Sequence, residues 1–239
     1  MGRRINLSRG REYDEAITIF SPEGRIYQVE YALELVKRGA PVSGVAVKEG
    51  VVLAAVEILS SALEDPRFSK KLFELDTHIA TVIAGLSPDA RVLVREARLA
   101  CQGHRMTYDE PISVEGLVSN VGELLQQYTQ NGGIRPFGVS MIVAGIDATG
   151  PRLITTDPSG SYRGFKAAAL GMNTEKGREL LEKKYKSEMD LEEATALAIE
   201  TVKTAYSNGL KPDNIHCAVI PVETKQFRRL SHEDIQKYF

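Results

Sequence analysis

The sequence is poor in features that mark several classes of protein. Its 239 residues contain no tryptophan and only two cysteines, Cys101 and Cys217, which lie far apart and outside any CxxC pattern. This spacing gives no disulfide framework and predicts reduced, buried thiols in an intracellular protein. No apolar run approaches the roughly 20 residues that cross a bilayer. We therefore expect a soluble, cytoplasmic chain that makes no contact with a membrane.

An excess of positive charge is also missing. Thirty Lys and Arg residues balance 32 Asp and Glu residues, for a net charge of −2. A nucleic-acid-binding protein usually has a basic bias. Four arginines do occur in residues 1–12, but no aromatic platform is interleaved with them, so an RNA-binding arm is the weakest hypothesis. We expect no nucleic-acid partner.

The common catalytic and ligand-binding motifs are absent as well. The sequence contains no GxSxG elbow, no HExxH pair and no Walker A loop. The four histidines are scattered without the spacing of metal ligands, and His216, in an apolar segment, is interpreted as a core histidine. These absences predict no cofactor, no metal and no catalytic residue.

What the sequence does contain is an ordered alternation of strands and helices. Val/Ala-rich strand pairs, two helices, a second group of strands, two more helices and a closing strand follow one another with short turns. Short turns favour antiparallel strands, and continuous apolar runs indicate that both faces of each sheet are covered. The order predicts an α+β fold, a four-layer αββα sandwich over residues 40–239.

Turn and capping signals predict some of the element boundaries. Glu49-Gly50 is predicted to turn the first hairpin, Ser87 to cap a helix, and Asp190 with Glu193 to form a capping box. "SYRGFKAAAL" is predicted to be one strand. "GGIRPFG" (132–138) is either simple turn chemistry or a contact surface between subunits.

The segment before the sandwich has its own character. Residues 1–12 are basic and nearly devoid of aliphatic side chains, which predicts a flexible arm, with an ordinary frayed terminus as the alternative. "SPEG" (21–24) suits a type I turn, and a helix is predicted over 24–38 with Gly39 at C′. That helix has two apolar stripes, one through Val29 and one through Tyr31, so we expect it to be covered on two sides.

The segment "YDEAITIFSPEGRIYQVEYALELVKRG" (13–39) closely resembles the N-terminal signature of proteasome α subunits. The resemblance continues through "KKLFELD", "IAGLSPDARVLVREAR", "QQYTQNGGIRPFGVSMIVAGID" and "GPRLITTDPSGSY". It implies the N-terminal-nucleophile hydrolase fold and a homo-heptameric ring that stacks on β subunits and admits unfolded protein substrates. Residues 1–12 would be the gate arm and 13–39 the α-type signature with its helix.

The resemblance also assigns candidate site residues. Tyr13, Asp14, Pro22 and Tyr31 match the cluster that holds the gate open in this family, although Tyr31 alone could be a packed helix aromatic. Lys71, Gly39 and the turn Gly24-Arg25-Ile26 match the pocket that receives the C-terminal tails of activating ATPases. From its residue type alone, Lys71 would be an ordinary strand-edge surface lysine.

The competing hypothesis is a self-processed amidohydrolase of the same fold. Such an enzyme needs Thr, Ser or Cys at the start of the first core strand, where its hydroxyl or thiol attacks and its freed α-amine acts as base. Ala40-Pro41-Val42 offers none, and Ser43 is the only hydroxyl nearby. The sequence therefore favours a non-catalytic subunit.

Overall fold

The computed structural model describes residues 18–59, 61, 63–65, 68–206 and 209–239. Within these ranges the α-helices are α1 Tyr27–Arg38, α2 Ser87–Tyr108, α3 Val114–Gln130, α4 Thr174–Lys184, α5 Leu191–Ala205 and α6 His232–Gln236. The strands are β1 Val42–Val47, β2 Gly50–Val56, β3 Leu72–Asp76, β4 Ile79–Gly85, β5 Val139–Asp147, β6 Gly150–Thr156, β7 Tyr162–Gly164, β8 Ala167–Leu170, β9 Ile215–Pro221 and β10 Arg228–Arg229. A 3₁₀ turn, Pro212–Asn214, precedes β9.

The strands form two five-stranded antiparallel sheets. One sheet has the order β10-β9-β2-β1-β8 and the other has the order β3-β4-β5-β6-β7. One hydrophobic core lies between the two sheets. A second core lies between the sheet that contains β3 to β7 and the helices α2 and α3. A third core lies between the other sheet and the helices α4, α5 and α6. This confirms the predicted four-layer αββα sandwich.

The continuous apolar runs arise because each central strand contributes to two cores. In β2, Val51, Leu53 and Ala55 point into the core between the sheets. Val52, Ala54 and Val56 point the other way, against the helices. Since alternate side chains of a strand face opposite sides, both sides must be apolar when both are covered.

Some predicted boundaries are wrong by one residue or more. The first hairpin turns at Lys48-Glu49, because Gly50 is already paired with Val47. Ser87 is the first residue of α2 rather than its cap, and Leu86 holds the cap position without a side-chain hydrogen bond. The predicted capping box of α5 is confirmed, with Asp190 and Glu193 bonding each other's backbone N–H groups.

The segment "SYRGFKAAAL" is two strands rather than one. β7 belongs to one sheet and β8 to the other, and Phe165 and Lys166 carry the chain between them. The Phe165 N–H donates to the Leu153 carbonyl of β6, while the Lys166 carbonyl accepts from the Ala46 N–H of β1. The break comes from these two distant partners and has no signal in the local sequence.

No described helix is both long enough and apolar enough to cross a membrane.

Candidate functional site

The start of β1 is the position where a relative of this fold would need its nucleophile. Ser43 is fully buried there, and its hydroxyl donates to the Ala198 carbonyl of α5 at 2.7 Å. A hydroxyl held inside a strand by a main-chain acceptor is neither exposed nor next to a free amine. The amidohydrolase hypothesis therefore has no nucleophile at this position.

A buried lysine lies beside this position. Lys71 is 9% exposed, and its ammonium donates to the Ala40 carbonyl at 2.7 Å and to the Ile83 carbonyl at 3.2 Å. The expectation of an ordinary surface lysine is thus wrong. Lys71 precedes β3, and its side chain crosses between the chain leading into β1 and the end of β4. Its two acceptors are far from it in sequence.

Burial changes the acid–base behaviour of this side chain. Burial of the ammonium away from water lowers the pKa of Lys71 to about 8, and the negative charge of the nearby Glu57 carboxylate opposes this shift. An ammonium has three N–H donors, and two are used by the carbonyls. In the part of the chain that the structure describes, the third N–H has no acceptor. Lys71 can therefore offer one charged donor to an anion near pH 7.

Glu57 holds the backbone of Lys71 in place, and the sequence analysis did not identify it. Its carboxylate is buried and accepts the backbone N–H groups of Lys70 at 2.7 Å and Lys71 at 3.2 Å, together with the Ser69 hydroxyl. These bonds fix the main chain from which the Lys71 side chain departs. A lone acidic residue directly after the apolar strand β2 is the signal that could have revealed it.

Gly39, the second predicted pocket residue, adjoins Lys71. It is the C-cap residue of α1, with φ −65° and ψ 146°, rather than the predicted C′ residue. The glycine is required by close packing instead, because a Cβ atom here would lie 2.7 Å from the Gly85 nitrogen. Its carbonyl accepts the Met172 N–H at 2.8 Å. The C-terminal end of α1 is thereby fixed against two other segments, the end of β4 and the chain after β8.

The turn before α1 holds the other predicted pocket residues. The Gly24 N–H donates to the Ser21 carbonyl at 2.8 Å, and Gly24 has φ +75°. Arg25 is exposed, forms an ion pair with Glu30 and lies over the Tyr27 ring at 5.1 Å. Ile26 occupies the cap position, so the helix begins three residues later than predicted.

Lys71 and this turn do not meet within one chain. They lie near opposite ends of α1, whose 12 residues span about 18 Å at 1.5 Å per residue. No hydrogen bond or ion pair joins 24–26 to Lys71, and all of these residues are described. The structure brings Gly39 and Lys71 together and leaves the turn apart.

The predicted gate residues are only partly within view. Tyr13 and Asp14 lie outside the described residues. Pro22 is exposed, and Tyr31 is 49% exposed on the second apolar stripe of α1. Leu35 on the same stripe is 41% exposed, whereas Val29 and Val36 of the first stripe are buried. One side of α1 is buried, and Tyr31 and Leu35 on the other side are partly exposed.

The "GGIRPFG" loop is anchored by contacts within the chain at Arg135 and Phe137, while a contact between subunits at its exposed residues stays a prediction. Arg135 forms a two-pronged ion pair with Asp89 of α2, at 2.6 and 2.8 Å. Burial acts to raise the pKa of Asp89, but the Arg135 guanidinium and the Gly138 N–H hold it below the usual value. Phe137 is buried against Tyr128, with ring centroids 4.3 Å apart. The loop locks α2 to α3 and β5.

Both cysteines are buried, as predicted. Burial raises the pKa of each thiol, Cys101 and Cys217, to about 12. A thiol that stays protonated is a poor nucleophile and a poor metal ligand. Among the described residues, no three His, Cys, Asp or Glu side chains converge on a metal-sized site.

Comparison with known proteins decides the family. A family model described as "Proteasome subunit" matches residues 36–220, and a model of the N-terminal signature of α-type proteasome subunits matches residues 13–34. The chain belongs to the proteasome subunit family. Proteins named "Proteasome subunit alpha" from Methanocaldococcus jannaschii and Pyrococcus horikoshii are each 47% identical to this chain. The first match covers 94% of this chain and 86% of the relative, and the second covers 95% and 86%.

A third relative of the same name, from Pyrobaculum aerophilum, is 47% identical over 93% of this chain and 91% of its own length. Since the signature and the relatives are of the α type, the chain is a non-catalytic α-type subunit of the proteasome core particle, and the catalytic threonine resides in the β subunits. Proteasome family membership implies assembly with other proteasome subunits. The buried Ser43 agrees with this assignment.

Proposed function

We propose that the chain forms the outer heptameric ring of a cytoplasmic proteasome, in which it docks an activating ATPase and gates the entry of unfolded proteins to the β subunits. The observation that carries the docking part is the separation of Lys71 from the turn Gly24-Arg25-Ile26. Within one chain the two lie near opposite ends of α1, a helix about 18 Å long. In a head-to-tail ring, one end of a subunit meets a different patch of the next.

The open side of α1 supports the ring. Tyr31 and Leu35 expose large apolar surfaces on a helix whose opposite side is already packed, and such a stripe is typical of an interface. Leu35→Asp should therefore prevent ring formation while the chain stays folded. Val29→Asp is the contrasting variant, since it buries an unpaired charge and should unfold the chain itself. Size-exclusion chromatography with circular dichroism separates the two outcomes.

The chemistry of Lys71 supports capture of a C-terminal carboxylate. It presents a single charged donor held in place by two carbonyls, close to the backbone of Gly39. A charge-assisted hydrogen bond in a partly dehydrated pocket contributes about 1.5–3 kcal/mol. Its loss in Lys71→Ala should weaken docking by roughly ten- to a hundredfold.

The adjacent lysine provides the control. Lys70 has the same charge, but its ammonium pairs with Glu64 at 2.7 Å on the surface. In particles rebuilt with β subunits, peptide hydrolysis is measured against the concentration of an activator tail peptide. Lys71→Ala should lose stimulation and Lys70→Ala should keep it. Equal loss in the two variants would show that general surface charge is responsible and would end the pocket assignment.

The gating part of the proposal concerns residues 1–12 with Tyr13, Asp14, Pro22 and Tyr31. Its support is the basic, aliphatic-poor sequence before the α-type signature. Particles whose α subunits lack residues 1–12 should hydrolyse short peptides faster. Inhibitors of the β-subunit active sites should act on these particles as they do on unmodified particles. An unchanged rate would mean that these residues do not obstruct the pore.

A further inference from the structure

A cleft with a cationic lining lies on the side of the sandwich remote from β7 and β8. It has a volume of about 540 Å³ and opens between α2, the edge strand β3 and β10. We call it the arginine cleft, and its lining includes Arg91, Arg95, Arg98, Arg229, Phe68 and Leu99. None of these residues belongs to the docking or gating sites described above.

Helical spacing gathers three of the guanidiniums. Positions 91, 95 and 98 follow an i, i+4, i+7 pattern, so their side chains leave one face of α2. The fourth, Arg229, reaches the cleft from β10. The sequence "ARVLVREAR" therefore predicts a stripe of arginine, and the fold adds the fourth arginine from a segment close to the C-terminus.

Two of the four guanidiniums donate hydrogen bonds to backbone carbonyls at the edge of β3. Arg98 donates twice to the Glu74 carbonyl, at 2.9 and 2.7 Å, and Arg229 donates to the Leu72 carbonyl at 2.6 Å. Both carbonyls belong to a strand that, among the described residues, has a neighbouring strand on one side only. An arriving strand would need these acceptors. A ligand in this cleft must therefore be recognised through its side chains.

Of the other two guanidiniums, Arg91 has no carboxylate partner among the described residues, and Arg95 has one that is solvent-exposed. Arg91 lies over the Phe68 ring at 5.6 Å, and neither it nor Arg98 forms an ion pair with any carboxylate of the described ranges. Arg95 is 69% exposed at its side chain and pairs with its neighbour Glu96 at 2.7 Å. Phe68 and Leu99 leave 63% and 59% of their surface exposed beside these cations. Exposed apolar groups among accessible arginines are typical of a contact surface.

We propose that the arginine cleft binds an acidic peptide segment of a partner protein, in which carboxylates flank an apolar side chain. The planar guanidinium fork matches a carboxylate with two parallel hydrogen bonds. The apolar side chain would lie between Phe68 and Leu99. A nucleic acid fits less well, because it requires a long track of positive charge and the whole chain carries a net charge of −2.

The test uses the purified full-length protein and two fluorescein-labelled peptides, Glu-Glu-Leu-Glu-Glu and Gln-Gln-Leu-Gln-Gln, measured by fluorescence anisotropy. The acidic peptide should bind about tenfold more tightly or better, and added salt should weaken it. The double variant Arg91→Gln/Arg95→Gln should lose that advantage. These two arginines are chosen because, unlike Arg98 and Arg229, they form no hydrogen bond to a β3 carbonyl in the described structure. Arg163→Gln, an exposed arginine of β7, should bind like the unmodified protein.

Arg91→Lys guards against a folding artefact, since it keeps the charge and removes the fork; its affinity should fall between those of the unmodified protein and the double variant. Equal affinity for the two peptides, no binding of either, or full affinity in the double variant would overturn the proposal. Displacement of the acidic peptide by a short single-stranded oligonucleotide at lower concentration than by the unlabelled peptide would also overturn it, in favour of a nucleic-acid surface.

Discussion

The two ends of α1 are built in opposite ways. At the C-terminal end, Gly39 touches the Gly85 backbone and the buried Lys71 ammonium binds two carbonyls nearby. At the N-terminal end, no atom of the described residues lies within 4 Å of a Cβ added at Gly24, and Arg25 is exposed. One end is fixed by packing inside the chain, and the described residues leave the other end exposed. Under the proposed function, a neighbouring copy is expected to cover the exposed end.

The largest difference between the two ends should appear when each glycine is changed to alanine. In Gly39→Ala the new Cβ meets backbone atoms, the Gly85 nitrogen at 2.7 Å and the Val36 oxygen at 3.1 Å, which cannot move independently. We expect a loss of about 3 kcal/mol in the free energy of unfolding, the upper range for overpacking. Denaturant titration of the purified chain measures it. A loss below that of Gly24→Ala would contradict the packing argument.

A pH titration tests the role of the Lys71 ammonium at the buried end of α1. The pKa of Lys71 is about 8 in the folded chain, against about 10.4 for an unperturbed lysine. Between these values the unfolded chain binds more protons, so this group makes the protein more stable as pH rises from about 8 to 10, by about 3 kcal/mol at most. Lys71→Met should lack this rise. Melting temperatures of the two proteins across this range provide the measurement, and parallel curves would contradict a buried ammonium.

At the open end, Gly24→Ala should cost less. The turn places Gly24 at φ +75°, where a Cβ is disfavoured by about 1–2 kcal/mol even though space is free. Asparagine tolerates this conformation better, so Gly24→Asn should recover part of the loss. Denaturant titration in parallel with Gly39→Ala compares the two ends. If asparagine were no better than alanine at Gly24, backbone conformation would not be the cause.

The smallest effect on the fold is expected from Arg25→Gln. The guanidinium is exposed and its ion pair with Glu30 is screened by solvent, so the melting temperature should stay within error. Under the proposed function, stimulation by an activator tail peptide should nevertheless fall, because the turn lines the pocket. Unchanged stimulation would remove Arg25 from the site and leave the fold description intact.

The sequence predicts best what depends on repeated patterns. The four layers follow from the order of the elements and from the continuous apolar runs, and they are confirmed. The sequence does not predict features that depend on a hydrogen-bond partner far away in the chain. The split at Phe165 depends on one hydrogen bond to each sheet, and the burial of Lys71 depends on the carbonyls of Ala40 and Ile83. Gly39 lies at the end of α1, and the need for glycine there comes from close contact with Gly85, which is also distant in the chain.

Under the proposed function, the docking pocket forms between two copies, with Lys71 from one and the turn 24–26 from the next. Complementation in mixed rings tests it most directly. Rings of Lys71→Ala alone and of Arg25→Glu alone should respond poorly to the tail peptide. Rings assembled from an equal mixture should respond better than either, because about a quarter of their head-to-tail interfaces pair an intact Lys71 with an intact turn. A mixture no more responsive than the two parent rings would place both groups in the same copy and contradict a pocket shared between neighbouring copies.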